Sequence, residues 1–71
     1  MNRERCRAGV WSLMGQARQH EICAENLALA AQMFTERGDG QAATLAIRTC
    51  HLHRIWALQA KAQAQALLIV G

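Results

Sequence analysis

The most constraining feature of this chain is a series of apolar and small residues that recurs at alternating steps of three and four. Steps of this kind place the residues on one side of a helix, where they form the a/d seam of a helix lying along another helix. Small residues in such a seam let the backbone of the partner helix come close. The series predicts a long helix packed along a second one. Its members are Val10, Leu13, Ala17, His20, Ala24, Leu27, Ala31 and Phe34.

The segment Arg37-Gly-Asp-Gly40 is the one turn signal in the sequence. Gly38 suits the left-handed position that follows a helix, and Asp39 suits the N-cap of the next helix. A connection this short makes the two helices antiparallel neighbours. The predicted fold is therefore an all-α, antiparallel two-helix hairpin.

The predicted boundaries follow from the turn and from the charges at the N-terminus. Three arginines (Arg3, Arg5 and Arg7) near a helix N-terminus oppose the helix macrodipole, so we expect the first residues to fray. The prediction is one domain over residues 1–71, with 1–8 frayed, helix 1 at about 9–37, the turn at 38–40 and helix 2 at about 41–70.

Composition supports an all-helical chain. The 71 residues are 52% hydrophobic, with no proline and no tyrosine, and alanine, leucine, glutamine and arginine are good helix formers. The three cysteines (Cys6, Cys23 and Cys50) are an odd number, and no apolar segment follows the charged N-terminus, so we expect free thiols in a cytoplasmic protein. No apolar run reaches the length of a membrane span.

We expect helix 2 to cover the heptad seam with a broad apolar arc. The residues predicted to face helix 1 are Ala42, Leu45, Ala46, Leu52, His53, Trp56, Ala57, Ala60, Ala64 and Leu67.

Both helices also carry a second apolar stripe on the side away from this contact. A lone hairpin would leave these stripes in water, which monomers of this size rarely tolerate. We therefore expect a homodimer that forms a four-helix bundle and that also binds another protein, as an inhibitor, adaptor or regulatory subunit. The predicted interface consists of Trp11, Met14, Arg18, Ile22, Leu29, Met33, Ile55, Leu58 and Ile69.

A mirrored set of cysteine and histidine residues suggests an alternative, which is a zinc- or copper-binding protein. The set is His20, Cys23, Cys50 and His53. The helical wheel places both histidines toward the seam and both cysteines about 80° away from it. We therefore favour seam histidines and small buried thiols over a metal site, and we predict no cofactor.

No set of nucleophile, base and orienting group is visible, so we do not expect an enzyme. The net charge of +3 leaves a second alternative, which is a nucleic-acid-binding regulator of the helical-hairpin type. All five acidic residues lie in the first 39 positions, so ion pairs between the helices are also expected. The basic residues of the nucleic-acid alternative are Arg3, Arg5, Arg7, Arg18, Arg48, Arg54 and Lys61.

Overall fold

The chain folds as an antiparallel pair of helices, seen in a computed structural model that describes residues 3–70. Helix α1 spans Arg3–Glu36 and helix α2 spans Gly40–Val70. The two helices pack against each other to form a rod that measures 55 × 13 × 10 Å. The predicted all-α hairpin is confirmed. Residues 1 and 2 of the segment expected to fray, and Gly71, lie outside the described residues.

The turn between the helices has the predicted chemistry. Gly38 has a φ of +79°, the left-handed conformation that glycine adopts without strain. The Asp39 N–H donates to the Phe34 carbonyl at 2.9 Å and the Gly38 N–H donates to the Thr35 carbonyl at 3.0 Å, which is the Schellman pattern. Asp39 then caps α2, because its Oδ1 atom accepts a hydrogen bond from the Ala42 N–H at 3.1 Å. A Schellman motif at Gly38 therefore ends α1, and the side chain of the next residue, Asp39, caps the start of α2.

Both helices begin earlier than the sequence predicts. Helix α1 begins at Arg3 rather than at about residue 9, and α2 begins at Gly40, which we placed in the turn. Tertiary contact explains the first difference, because Cys6 is buried and a Cβ atom built at Gly9 would stand 2.9 Å from Cδ1 of Leu67. Packing of this kind stabilises helical turns that propensity alone leaves marginal. The first turns of α1 are thus held against the last turns of α2.

Over the described residues, the fully buried part of the contact between the helices consists of eight alanines and two cysteines. The predicted seam of α1 is confirmed, since Ala17, Ala24 and Ala31 are buried and the other members of the series are half-buried. Among the residues whose side chains are described, no large side chain is fully buried and no polar residue is buried. The buried residues are Cys6, Ala17, Ala24, Ala31, Ala43, Ala46, Cys50, Ala57, Ala60 and Ala64.

The predicted inner face of α2 is partly wrong. Leu45 and Leu52 were expected to face α1, but both are exposed, Leu45 by 66% of its surface. Trp56 is partly exposed as well, but its ring contacts the His20 ring of α1, as expected. Cys50, which we placed away from the seam, is buried. The reason is steric: alanine positions in α1 bring the two backbones close together, and a leucine or tryptophan in the facing position would hold them apart.

The actual seam of α2 is a second heptad series, in register with that of α1. Its buried and half-buried members are Ala43, Ala46, Cys50, His53, Ala57, Ala60, Ala64 and Leu67.

Other expectations concern charge, thiols and membranes. Lys61 pairs with Glu21 at 3.3 Å, an ion pair between the helices of the predicted kind. Cys6, Cys23 and Cys50 are free thiols. Over residues 3–70, neither helix contains a stretch that is both long enough and apolar enough to cross a bilayer.

Candidate functional site

The candidate site is the exposed apolar surface of the hairpin. Because alanines occupy the contact between the helices, most of the large apolar side chains point outward. Trp11 is 75% exposed and Ile69 is 85% exposed. The exposed large apolar residues of the described part of the chain are Trp11, Met14, Leu29, Met33, Leu45, Ile47, Leu52, Ile55, Trp56, Leu58, Leu68 and Ile69.

One face of the hairpin carries a row of shallow grooves, and we call it the grooved face. At the open end of the hairpin, the first groove lies between Trp11 on α1 and Leu68 on α2. The second groove shares Val10 and Leu68 with the first and adds Met14. The open end of the grooved face is therefore apolar, and both helices contribute to it.

The grooved face continues toward the turn through a charged middle. The third groove is lined by Leu58, by the ion-paired residues Glu21 and Lys61, and by Arg54. The fourth groove shares Arg54 with the third and reaches Ile47. The face thus has exposed apolar side chains at both ends and at its centre, with polar groups among them.

The nine residues of the predicted interface are not brought into one patch. Trp11, Met14 and Leu58 line the grooved face. In the heptad frame set by the two seams, Arg18 lies on the same side, whereas Met33 lies on the opposite side. The remaining four lie on the edges of the hairpin farthest from the seam; Ile22 is half-buried there, and the other three are exposed. They are Ile22, Leu29, Ile55 and Ile69.

Two residues of the grooved face, Ile47 and Leu68, are not among the nine residues of the predicted interface. Both follow a seam alanine of α2 by four residues, Ile47 after Ala43 and Leu68 after Ala64. The spacing of small residues in α2, which is seven between Ala43, Cys50 and Ala57, is the signal that identifies the frame.

The centre of the seam contains three aromatic rings. The Nδ1 atoms of His20 and His53 lie 2.8 Å apart, one histidine from each helix. The Trp56 ring lies 5.4 Å from the His20 ring and 5.1 Å from the His53 ring, perpendicular to the latter. Such an edge-to-face arrangement is the favoured one for aromatic rings. Both histidines therefore lie in the seam, as predicted, but they contact each other and Trp56 rather than serving as isolated core residues.

The four candidate metal ligands do not form one site. The Cys50 thiol donates to the Ala24 carbonyl at 3.2 Å and so takes part in a contact between the helices. In the part of the chain that the structure describes, no group of three or more histidine, cysteine or acidic side chains is arranged to hold a metal ion.

The basic residues of the nucleic-acid alternative lie at several places on the surface. Arg3 and Arg7 line the first groove, whereas Arg48 lies near the turn and Arg54 and Lys61 lie in the charged middle of the grooved face. This alternative stays a prediction.

No protein-family model, no curated protein and no solved structure matches this chain.

Proposed function

We propose that the chain is a small, non-enzymatic regulatory or adaptor protein, cytoplasmic and homodimeric, that acts by binding a partner protein through its apolar helix faces. One observation carries the proposal: the hairpin contains alanines where its helices meet and carries its large apolar side chains outside. Burying one methyl or methylene group stabilises by about 0.8 kcal/mol, whereas burying a whole leucine- or isoleucine-sized side chain stabilises by about 1.5–3 kcal/mol. Most of the apolar stabilisation available to this sequence is thus left for association.

Chain size supports the same proposal. A chain of this length rarely obtains more than about 3–5 kcal/mol from its own core, and small domains commonly add stability by forming oligomers. A seam of alanines should contribute a stabilisation near the lower limit of that range, because each alanine buries a single methyl group. A second copy that covers one face would complete the core.

The grooved face is the surface that we assign to the dimer. Its exposed apolar residues come from both helices, with Trp11 and Met14 from α1 and Ile47, Leu58 and Leu68 from α2. A surface shared by two helices is what a four-helix bundle requires, since each hairpin then contacts both helices of its partner. The opposite face and the outer edges remain available to the partner protein.

The test is a matched pair of variants on α2, Leu58→Glu and Gln59→Glu. Leu58 is 65% exposed and lines the grooved face, whereas Gln59 is its exposed neighbour, and the heptad frame places it on the opposite face. The two variants add the same charge. Sedimentation equilibrium at several concentrations measures self-association.

We expect the wild type and Gln59→Glu to be dimers and Leu58→Glu to dissociate, with a dissociation constant raised at least tenfold. Tenfold corresponds to about 1.4 kcal/mol, which is near the lower limit for losing one buried leucine. A wild-type protein that stays a single copy at high concentration would refute the dimer. Equal association of both variants would refute the assignment to the grooved face.

The partner protein is tested separately. Affinity capture from the native cytoplasm, with the wild type and with Gln59→Glu as baits, shows whether a partner uses the opposite face. A partner retained by the wild type and lost by Gln59→Glu places the contact there.

A further inference from the structure

The grooved face is apolar mainly at the open end of the hairpin. Trp11, Met14 and Leu68 line its first two grooves, and Leu58 follows in the third. All four side chains are exposed. Toward the turn, Ile47 shares the fourth groove with polar side chains. A second copy that covers this face therefore buries the most apolar surface when the two open ends meet.

The charges of the grooved face are divided between the helices. Helix α2 contains no acidic residue, and its cations in the third groove are Arg54 and Lys61. The acidic residues belong to α1, where Glu21 lines the third groove and the heptad frame places Glu25 on the same side. Arg18 lies on this side as well, so α1 carries both signs of charge. Two α2 helices placed together would bring only cations together, whereas α1 offers carboxylates to α2.

Contacts across the seam show which residues of the two helices lie at the same level along the rod. Ala24 is level with Cys50, because the Cys50 thiol donates to the Ala24 carbonyl at 3.2 Å. Arg54, four residues further along α2, is therefore level with about residue 20 of α1. At 1.5 Å per residue, Glu21 and Glu25 lie within about 2 Å and about 8 Å of that level.

A second copy can cover the grooved face in two symmetric ways. If the twofold axis runs along the rod, open end meets open end and each α1 lies against α2 of the other copy. Arg54 then comes opposite Glu21 and Glu25 of the second copy. If the axis runs across the rod, α2 lies against α2 in the opposite direction. Arg54, near the middle of α2, then faces Arg54 of the second copy, and each apolar open end faces the more polar half near the turn.

We propose that the second copy docks with its open end against the open end of the first, so that each α1 lies along α2 of the other hairpin. Charge complementarity supports this direction, because carboxylates of α1 then meet the cations of α2, and the symmetry repeats the contact. The apolar open ends are covered together in the same arrangement. This inference rests on the dimer proposed above and adds the direction of its two hairpins.

The first test measures the distance between the two turns of the dimer by double electron–electron resonance. A spin label is attached through Gln41→Cys, at an exposed position beside the turn, in a chain whose three native cysteines are replaced by alanine. With neighbouring helices about 8–10 Å apart, turns that lie side by side place the labels about 30 Å apart or closer. The opposite arrangement separates them by about 45 Å along the rod.

Sedimentation equilibrium of the wild type and of the labelled chain measures the dimer separately. We expect a dimer in which the labels are about 30 Å apart or closer. A distance near 45 Å would overturn this inference and leave the dimer intact. A wild type that stays a single copy would overturn both the dimer and its direction.

A pair of charge reversals tests the same contact with the native cysteines in place. Arg54→Glu sets a carboxylate opposite Glu21 and Glu25 of the second copy, whereas Arg48→Glu makes the same charge change at an exposed position on the outer edge of α2. Each reversed contact should change affinity about threefold, in the range of exposed ion pairs, and the symmetry doubles the contact.

Arg54→Glu should therefore raise the dissociation constant of the dimer about tenfold relative to Arg48→Glu, measured by sedimentation equilibrium. Equal dissociation constants for the two variants would overturn the inference, because the opposite arrangement only replaces one contact between like charges by another.

Discussion

Replacing Ala17 by leucine tests whether the two helices are in close contact. Ala17 is the most deeply buried residue of the described chain, with 0% of its surface exposed, and it packs against Ala57, Ala60 and Leu13. Leucine adds three carbon atoms at a position where the facing residues are themselves alanines. We expect Ala17→Leu to push the helices apart.

The magnitude follows from two opposite effects. If the seam is as tight as the burial indicates, overpacking destabilises the hairpin by about 1–3 kcal/mol. If space were available, three additional buried carbons would stabilise it by roughly 2.4 kcal/mol, at about 0.8 kcal/mol each. The two cases differ in sign and by several kcal/mol, so the experiment separates them clearly.

The assay is urea unfolding followed by circular dichroism at fixed protein concentration, with Ala8→Leu as the control. Ala8 is exposed on the same helix, and a surface substitution of this kind changes stability by no more than about 0.5 kcal/mol. We expect Ala17→Leu to lower the free energy of unfolding while the control does not. A stabilised Ala17→Leu would refute the alanine seam and with it the reason why the large apolar residues lie outside.

Three further predictions concern the turn and the glycines of α1. Asp39→Ala removes the side-chain cap of α2 and should lower stability by about 1 kcal/mol, whereas Gln41→Ala, at an exposed position in the first turn of α2, should not. An unchanged unfolding midpoint in Asp39→Ala would contradict the capping role. Gly15→Ala has open space around the new methyl group and should raise stability by about 0.8–1 kcal/mol in thermal unfolding. Gly9→Ala should raise it less, because its Cβ must displace Leu67 Cδ1 from 2.9 Å, and a larger gain at Gly9 than at Gly15 would show that the helix ends are not in contact.

The turn and the seam of α1 could be predicted from the sequence because each depends on local chemistry. Gly38 adopts a left-handed conformation that few other residues adopt without strain, and Asp39 is one of the few residues whose side chain caps a helix well. The three buried alanines of α1 recur every seven residues. The start of α1 could not be predicted in the same way. The arginines of its first turns oppose the helix macrodipole, and contacts with α2 offset this through the burial of Cys6 and the close approach of Gly9 to Leu67.

The predicted face of α2 is wrong at Leu45 and Leu52, because the size of an apolar residue is a poor guide to its burial in this chain. Leu45 and Leu52 are large apolar residues, and a search for a conventional core places them inside. In this hairpin the small residues decide the face, because alanine on one helix excludes bulk on the other.

Small residues recur every seven positions in the seams of both helices. If one helix shifted along the other by one heptad, the contact between them would therefore be nearly the same. A shift of one helix along the other by one heptad, about 10 Å, would again place alanine methyl groups opposite each other. The alanine seam alone therefore does not fix the axial alignment of the helices. What fixes the alignment is the brevity of the Gly38–Asp39 link, together with the one histidine pair that meets only in this alignment. Lengthening the link with flexible residues should therefore loosen the alignment of the helices before it reduces their helical content.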